Sequence, residues 1–369
     1  MSFLLNGLMA LTWQQIIMYL IGILLIYLAI KKDYEPALLL PIGFGTILVN
    51  IPYSGVLNHG IIEWLYEIGI AASEAMPLLL FIGIGAMIDF TPLLANPKLF
   101  LFGAAAQFGI FAVIIISHLL GFNLIDAASI GIIGAADGPT AILVAQTLGS
   151  KYIGPIVVAA YSYMALVPII QPIVIKMITT KEERKIKAEL SNTYSNIPQV
   201  LKIAFPITVT LITGLIAPAS VGLVGFLMFG NLLRECGVLK TLTETAQTSL
   251  TNLITLLLGI TISFSMIGSQ FIAMKTLIII GLGLLAFVFD TVAGVMFAKI
   301  INLFSKKKIN PMIGAAGISA FPISARVIQK LGLQEDSQNH LLMSAIGANV
   351  SGQIASVLAG GIILSLLGG

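Results

Sequence analysis

The chain has 369 residues, of which 58% are hydrophobic and only 9% charged, with a formal net charge of +3. Soluble domains carry about 25% charged residues, so a chain this poor in charge cannot cover its own surface and takes the bilayer as its solvent. The small net charge gives no case for nucleic acid. The single cysteine, Cys236, excludes an internal disulfide and any multi-cysteine metal site. His59, His118 and His340 are scattered and fit no metal-ligand spacing.

A spanning helix needs about 20 mostly apolar residues. In chain order such runs fall at 12–30, 36–52, 62–89, 99–120, 153–177, 203–217, 221–233, 248–268, 276–303 and 340–367. The first lacks a basic n-region and a small-residue cleavage site, so it reads as a membrane helix rather than a cleavable signal. It ends at Lys31 and Lys32. Two further apolar stretches, 126–148 and 309–330, are rich in Gly, small residues and Pro. They read as broken or re-entrant helices, which membranes tolerate only where protein or a water cavity satisfies the backbone.

The basic groups Lys31/Lys32, Lys98, Lys181 to Lys187, Arg234/Lys240 and Lys306 to Lys308 mark the cytoplasmic side. Ten crossings and two re-entrant segments put them all on that side, with both termini outside. The expected organisation is an all-α polytopic membrane protein: a first unit over 1–178, a cytoplasmic linker over 179–202 and a second unit over 203–369. No stretch is left for a soluble catalytic domain, so any biotin domain, transferase or ATPase belongs to another chain.

The two units resemble each other. Pro36, Gly43 and Gly55 match Pro218, Gly225 and Gly237 at an offset of 182, and Asn50 matches Asn231 at 181. Gly131, Gly134, Pro139, Gln146 and Gly149 match Gly314, Gly317, Pro322, Gln329 and Gly332 at 183. Five crossings per unit, an odd number, would invert the second unit relative to the first. Inverted repeats with paired broken helices place ion and substrate sites near the midplane, although small residues also serve simple helix packing.

Asp137 lies inside the first broken segment, in Gly134-Ala-Ala-Asp-Gly-Pro-Thr140. A carboxylate in hydrocarbon needs a cation, a proton or a partner, and Gly138-Pro139 interrupts the helix and frees carbonyls beside it. That is a hard-oxygen site suited to Na⁺ or a proton. Asp89 precedes Phe-Thr-Pro and reads as a helix-end residue, while Asp290, within an apolar helix, is a weaker second candidate. Tyr163 is either an interfacial anchor or a hydroxyl that coordinates an ion or relays a proton. The second broken segment carries the oxygen donors Asn310, Ser319 and Ser324, and Arg326. Arg326 either snorkels to headgroups or binds a carboxylate bidentately. Asn349, Ser351 and Gln353 in the last span read as interhelical hydrogen-bonding glue or as site groups. No phosphate-binding Gly-x-x-x-x-Gly-Lys-Ser/Thr loop is present, so an ATP-driven pump has no support in this chain.

Over nearly its whole length the sequence resembles the β subunit of the sodium-pumping, biotin-dependent decarboxylases acting on oxaloacetate, methylmalonyl-CoA or glutaconyl-CoA. The resemblance rests on Pro41-Ile-Gly-Phe-Gly45, Gly85-Ala-Met-Ile-Asp89, Leu94-Ala-Asn-Pro97, the Asp137 string, Ala160-Tyr-Ser-Tyr-Met-Ala-Leu-Val-Pro168, Phe229-Gly-Asn-Leu-Leu-Arg-Glu-Cys-Gly237, and Asn310-Pro to Arg326. It implies decarboxylation of carboxybiotin held on a separate chain, coupled to Na⁺ export. The implied partners are a carboxyltransferase α subunit, a biotin carrier, a small membrane γ or δ subunit and further copies in an oligomer. The implied functional residues are Asp137, Tyr163 and Arg326 for catalysis, Arg326 and Asn310 for carboxybiotin, and Asp137, Asn310, Gly314, Ser319 and Asn349 for Na⁺. Ala315 and Phe321 depart from the small residues usual there. The chain is short for the oxaloacetate enzyme, which points toward a CoA-ester member. A secondary Na⁺-coupled carboxylate carrier is the alternative that the repeat and Asp137 alone also allow.

Overall fold

Apolar runs of this length can satisfy their backbone in lipid only as helices or closed barrels. The computed structural model, which describes residues 7, 9–32, 36–57, 60–72, 75–188 and 197–368, is helical with no strand among the described residues. His59 and part of the 179–202 linker lie outside the described residues.

In the first half, α1 (Trp13–Lys32) and α2 (Pro36–Val49) are followed by α3 (Ile61–Tyr66) and α4 (Ala75–Met87). Next, α5 (Phe100–Ala105) and α6 (Phe108–Leu119) form one span interrupted at Ala106 and Gln107. The first broken segment holds α7 (Leu124–Gly131) and α8 (Gly138–Thr147), and α9 (Ile153–Ile178) closes the half. Pro168 sits inside α9, and the helix bends by 68° between Met164 and Leu166. The cause is local: the proline has no N–H for the Met164 carbonyl and its ring clashes there.

The second half runs through α10 (Gln199–Ile216), α11 (Val221–Glu235), α12 (Thr251–Ile262) and α13 (Met274–Phe304). A single turn, Met312–Ala315, leads into α14 (Ile323–Glu335), and α15 (Leu342–Leu367) ends the chain. Six helices are long and apolar enough to cross a membrane, or eight if each of two bent pairs counts as one span. The remaining two expected crossings, α2 and α11, have only 14 and 15 residues. At about 1.5 Å per residue they fall short of a roughly 30 Å hydrocarbon core. Each lies against a neighbour instead. On α4 and α11 the contact is backbone to backbone: a Cβ at Gly85 would lie 1.8 Å from the Leu227 carbonyl oxygen, and one at Gly230 2.0 Å from that of Ile82.

Both broken segments are hairpins that return to where they began. In the first, the Asp126 carboxylate on the leading limb accepts from the Ser150 hydroxyl at 2.8 Å and the Lys151 amide at 3.1 Å. In the second, the Arg184 carbonyl accepts from Asn310 at 2.8 Å and from Asn339 at 3.0 Å, which closes the mouth between its two ends. The first mouth lies at the start of α9, the second just beyond its end, so the hairpins enter from opposite ends of that helix. Their tips meet, because the Ser319 hydroxyl donates to the Ala135 carbonyl. At the second mouth, Lys98, Lys187, Lys307 and Lys308 line one cavity of about 420 Å³. Three of the five basic groups in the sequence thus gather at one end of the molecule. The buried Arg184 fastens the linker there through Glu335, at 2.6 Å.

Matched residues of the two halves do matching work. Gly55 and Gly237 both turn the chain with left-handed φ, +69° and +70°. Asn50 donates to the Met266 carbonyl at 2.8 Å and Asn231 to the Ile88 carbonyl at 2.9 Å, each reaching into the other half.

Candidate functional site

The site is built where the two prolines break their helices. Pro139 offers no N–H to the carbonyl four residues earlier, so the helical run ends at Ala135 and its carbonyl is left for the Ser319 hydroxyl. Pro322, the match of Pro139, likewise frees the Ile318 carbonyl, and the Asn349 side-chain amide donates to it at 2.6 Å. Between the halves of the first hairpin the chain reverses through Ala136, at φ 51° and ψ 41°. A left-handed residue with a Cβ costs about 1–2 kcal/mol, and such strain concentrates at functional sites.

That reversal points Asp137 inward. The residue is only 4% exposed, and three side chains converge on its Oδ2: Thr140 at 2.6 Å, Gln353 at 3.0 Å and Ser356 at 3.4 Å. Asn349, Gln353 and Ser356 are four and three residues apart, so they share one face of α15. That helix is the most enclosed of the long apolar helices, whereas α1 is mostly exposed along its length. Asn349 uses its amide on Ile318, while its Oδ1 is buried without a partner. The tip region therefore gathers a carboxylate, a hydroxyl and an unsatisfied amide oxygen, all hard-oxygen donors of the kind that suit an alkali cation.

The sequence-derived residues separate in space. Asp137, Ser319 and Asn349 belong to the tip region. Asn310 holds the second mouth: its amide bonds the Arg184 and Ile186 carbonyls and its Oδ1 accepts from the Met312 amide. Gly314 packs its backbone against Gly294 of α13. Tyr163 faces α13 and donates to the Ile280 carbonyl. Two residues apart on a helix point to nearly opposite sides, and it is Tyr161 that faces the hairpin. Its ring lies over Gly138, where a Cβ would come within 2.1 Å of Cζ, and its hydroxyl is buried without a partner. Arg326 is exposed on α14 and lines a hollow of about 450 Å³ with Gln329, Lys330, Leu333, Gln334 and Leu342. Asp89 accepts from the Thr91 amide at 2.9 Å, as a helix-end residue should. Among the described residues no group of three His, Cys, Asp or Glu side chains could hold a metal ion.

Sequence reasoning missed Tyr161, Thr140 and Ser356. The spacing of Ser356 from Asn349 and Gln353 on one helical face was the available signal.

Two re-entrant hairpins meeting at a buried carboxylate, inside a polytopic helical bundle, define an ion-translocating membrane protein. The comparisons with known proteins narrow the class. The Na⁺-transporting oxaloacetate decarboxylase beta subunit family matches residues 14–367. The chain is 46% identical over 365 residues to the glutaconyl-CoA decarboxylase subunit beta of Acidaminococcus fermentans, covering 99% of this chain and 96% of the relative. It is 45% identical over 387 residues to the methylmalonyl-CoA decarboxylase subunit beta of Propionigenium modestum, covering 98% and 97%. It is 42% identical over 420 residues to the oxaloacetate decarboxylase beta chain of Klebsiella pneumoniae, covering 97% and 96%. The chain belongs to this family of decarboxylase β subunits, multi-pass membrane proteins that couple decarboxylation to Na⁺ transport.

Proposed function

We propose that this chain releases CO₂ from carboxybiotin carried on a separate subunit and exports Na⁺ through the meeting point of its two hairpins. The observation that carries the reading is the tip region itself, where Asp137 is buried under Thr140, Gln353 and Ser356, two residues from the Ala135 carbonyl on which the Ser319 hydroxyl of the other hairpin sits. A single charge and neutral oxygens match a monovalent cation that must bind and then leave. Asp137, Ser319 and Asn349 hold Na⁺. Asn310 and Gly314 act at a distance, by fixing the hairpin that carries Ser319. Units 1–178 and 203–369, joined by the 179–202 linker, form an inverted repeat, a reading supported by hairpins that enter from opposite ends of α9.

The hollow at Arg326 suits the carboxybiotin group. It combines the cations of Arg326 and Lys330 with the apolar walls of Leu333 and Leu342, the complement of a ring system bearing a carboxylate. When bound, carboxybiotin supplies an N-carboxylate whose loss of CO₂ leaves a nitrogen in need of a proton. Asp137 couples the two processes, because Na⁺ and a proton cannot both occupy the same carboxylate oxygens. Tyr161 presents the hydroxyl that faces Asp137's segment, and Tyr163 sets the position of α9 against α13. The carboxyltransferase and biotin carrier are separate chains, and a small membrane subunit completes the complex. The soluble substrate is a CoA ester. In support, the alignments to the oxaloacetate-type chains of Vibrio cholerae and Klebsiella pneumoniae run over 426 and 420 positions, whereas those to the methylmalonyl-CoA and glutaconyl-CoA relatives run over 387 and 365.

The test is CO₂ release from carboxybiotin by the purified complex at graded Na⁺. Release that rises with Na⁺ and is lost in Asp137→Asn supports the proposal. Release indifferent to Na⁺ rejects it.

A further inference from the structure

The second mouth gathers positive charge that the proposed ion path leaves unused. Its cavity of about 420 Å³ is lined by Lys98, which precedes α5, by Lys187 of the linker, and by Lys307 and Lys308 on the leading limb of the second hairpin. No carboxylate is among the described residues that line it. Lys187 reaches the carboxylate of Asp336, which is not part of the lining, at 3.5 Å. The Lys308 ammonium donates to the Asn302 carbonyl.

A helix end adds to this charge. Ser344, in the first turn of α15, lines the same cavity. The N-cap of that helix is Leu341, an apolar residue whose side chain caps nothing. A helix start presents N–H groups and the positive end of the backbone dipole, and so favours an anion. Four ammonium groups and a helix start around one hollow repel one another, and an anion among them removes that repulsion.

The donors narrow the choice of anion. A carboxylate is matched by the planar fork of an arginine, as in the hollow at Arg326, whereas lysines act on phosphate as point charges. The cavity is far larger than one phosphate needs and falls in the range of roughly 300–1,000 Å³ typical of pockets for organic ligands. Its inner wall is apolar, formed by the buried Leu99, Phe102 and Ile313. An organic phosphate meets both surfaces, with its charge at the lysines and its carbon at the wall. The cavity also lies at headgroup depth, because the apolar helices Pro97–Leu119 and Leu342–Leu367 begin beside it and Met274–Phe304 ends beside it. Leu303 and Phe304, both exposed, precede Lys307 and Lys308 by only a few positions.

We propose that this cavity binds an anionic phosphate ester at the cytoplasmic face. The headgroup of an anionic phospholipid and a soluble phosphate ester share that chemistry, and basic pockets between membrane helices on this side suit such headgroups. A phosphate held there joins α5, the linker, the base of the second hairpin and the start of α15. The inference does not depend on the Na⁺ ligands chosen above.

Equilibrium binding to the purified full-length chain in neutral detergent tests it, with radiolabelled phosphatidylglycerol in mixed micelles and radiolabelled glycerol phosphate as the two probes. Saturable binding is expected, weakened about fivefold by Lys98→Gln, about fivefold by Lys308→Gln and about thirtyfold by both. Binding of phosphatidylglycerol alone assigns the site to a lipid, and binding of glycerol phosphate as well assigns it to soluble esters. Lys240→Gln, in a separate basic group of the same side, is the control and is expected to bind as the wild type does. Equal weakening by Lys240→Gln shows diffuse attraction and overturns the proposal, as does binding of neither probe or binding that the double variant leaves unchanged. On the wild type alone, unlabelled phosphatidylcholine, whose headgroup has no net charge, is expected not to displace the label. Displacement equal to that by unlabelled phosphatidylglycerol also overturns it.

Discussion

The two hairpins share a backbone plan and differ in the chemistry at their tips. In each, a proline frees the carbonyl four residues before it, and a side chain from elsewhere caps that carbonyl: Ser319 on Ala135, Asn349 on Ile318. The position matching Asp137 at offset 183 is Ala320, and the position matching Ser319 is Ala136. One hairpin therefore supplies the charge and the other supplies neutral oxygens. Two carboxylates at touching tips would repel and hold a proton between them, which would compete with a monovalent ion. Repetition of the backbone with division of the side-chain chemistry gives a closed, polar meeting point with a single negative charge.

The comparison breaks most visibly at the charge. Asp137→Asn removes the charged ligand at the tips and is expected to cost about 3 kcal/mol of Na⁺ binding, roughly 100-fold in affinity. Titration of equilibrium Na⁺ binding measures it, and a midpoint unchanged from wild type would move the site elsewhere. Ser319→Ala tests the contribution of the second hairpin. It leaves the Ala135 carbonyl without its donor, a loss of about 1–3 kcal/mol in stability, and is expected to weaken Na⁺ roughly tenfold, about 1.4 kcal/mol. The same titration, with a melting curve alongside, reads both effects.

The two tyrosines sharpen the picture further. Tyr163→Phe loses its bond to the Ile280 carbonyl and should lower stability by about 1 kcal/mol. Tyr161→Phe removes a hydroxyl that has no partner, so stability should hold while turnover falls. Equal melting losses in both would contradict the assignment of their faces. The smallest effect is expected at the turn that aims Asp137. Ala136→Gly relieves the left-handed strain but adds freedom to the unfolded chain, for a net gain of about 0.5 kcal/mol. A lowered melting temperature would show that Ala136 is not strained.

Much of this plan is legible in the residues because breaks are local chemistry. Gly138-Pro139 and Pro322 announce their interruptions, and an aspartate within an apolar run announces a compensated charge. The partners of that charge are less legible. Gln353 and Ser356 lie more than 200 positions from Asp137, and polar residues in a membrane helix look the same whether they bind a helix or an ion. Asn310 shows the reverse case: its type suits a ligand, but the folded linker brings the Arg184 and Ile186 carbonyls to it and uses up its amide. Tyr161 and Tyr163 stand two positions apart in one run, and only the packing of α9 decides which faces the hairpin. Apolar length sets the expected number of crossings, but it does not reveal that α2 and α11 are short helices lying closely on their neighbours.

The most direct measurement is Na⁺ uptake together with CO₂ release in vesicles containing the whole complex, for wild type and Asp137→Asn. The account predicts coupled uptake and release in the wild type, and loss of uptake in the variant although the protein still folds. Full coupled uptake by Asp137→Asn would contradict it.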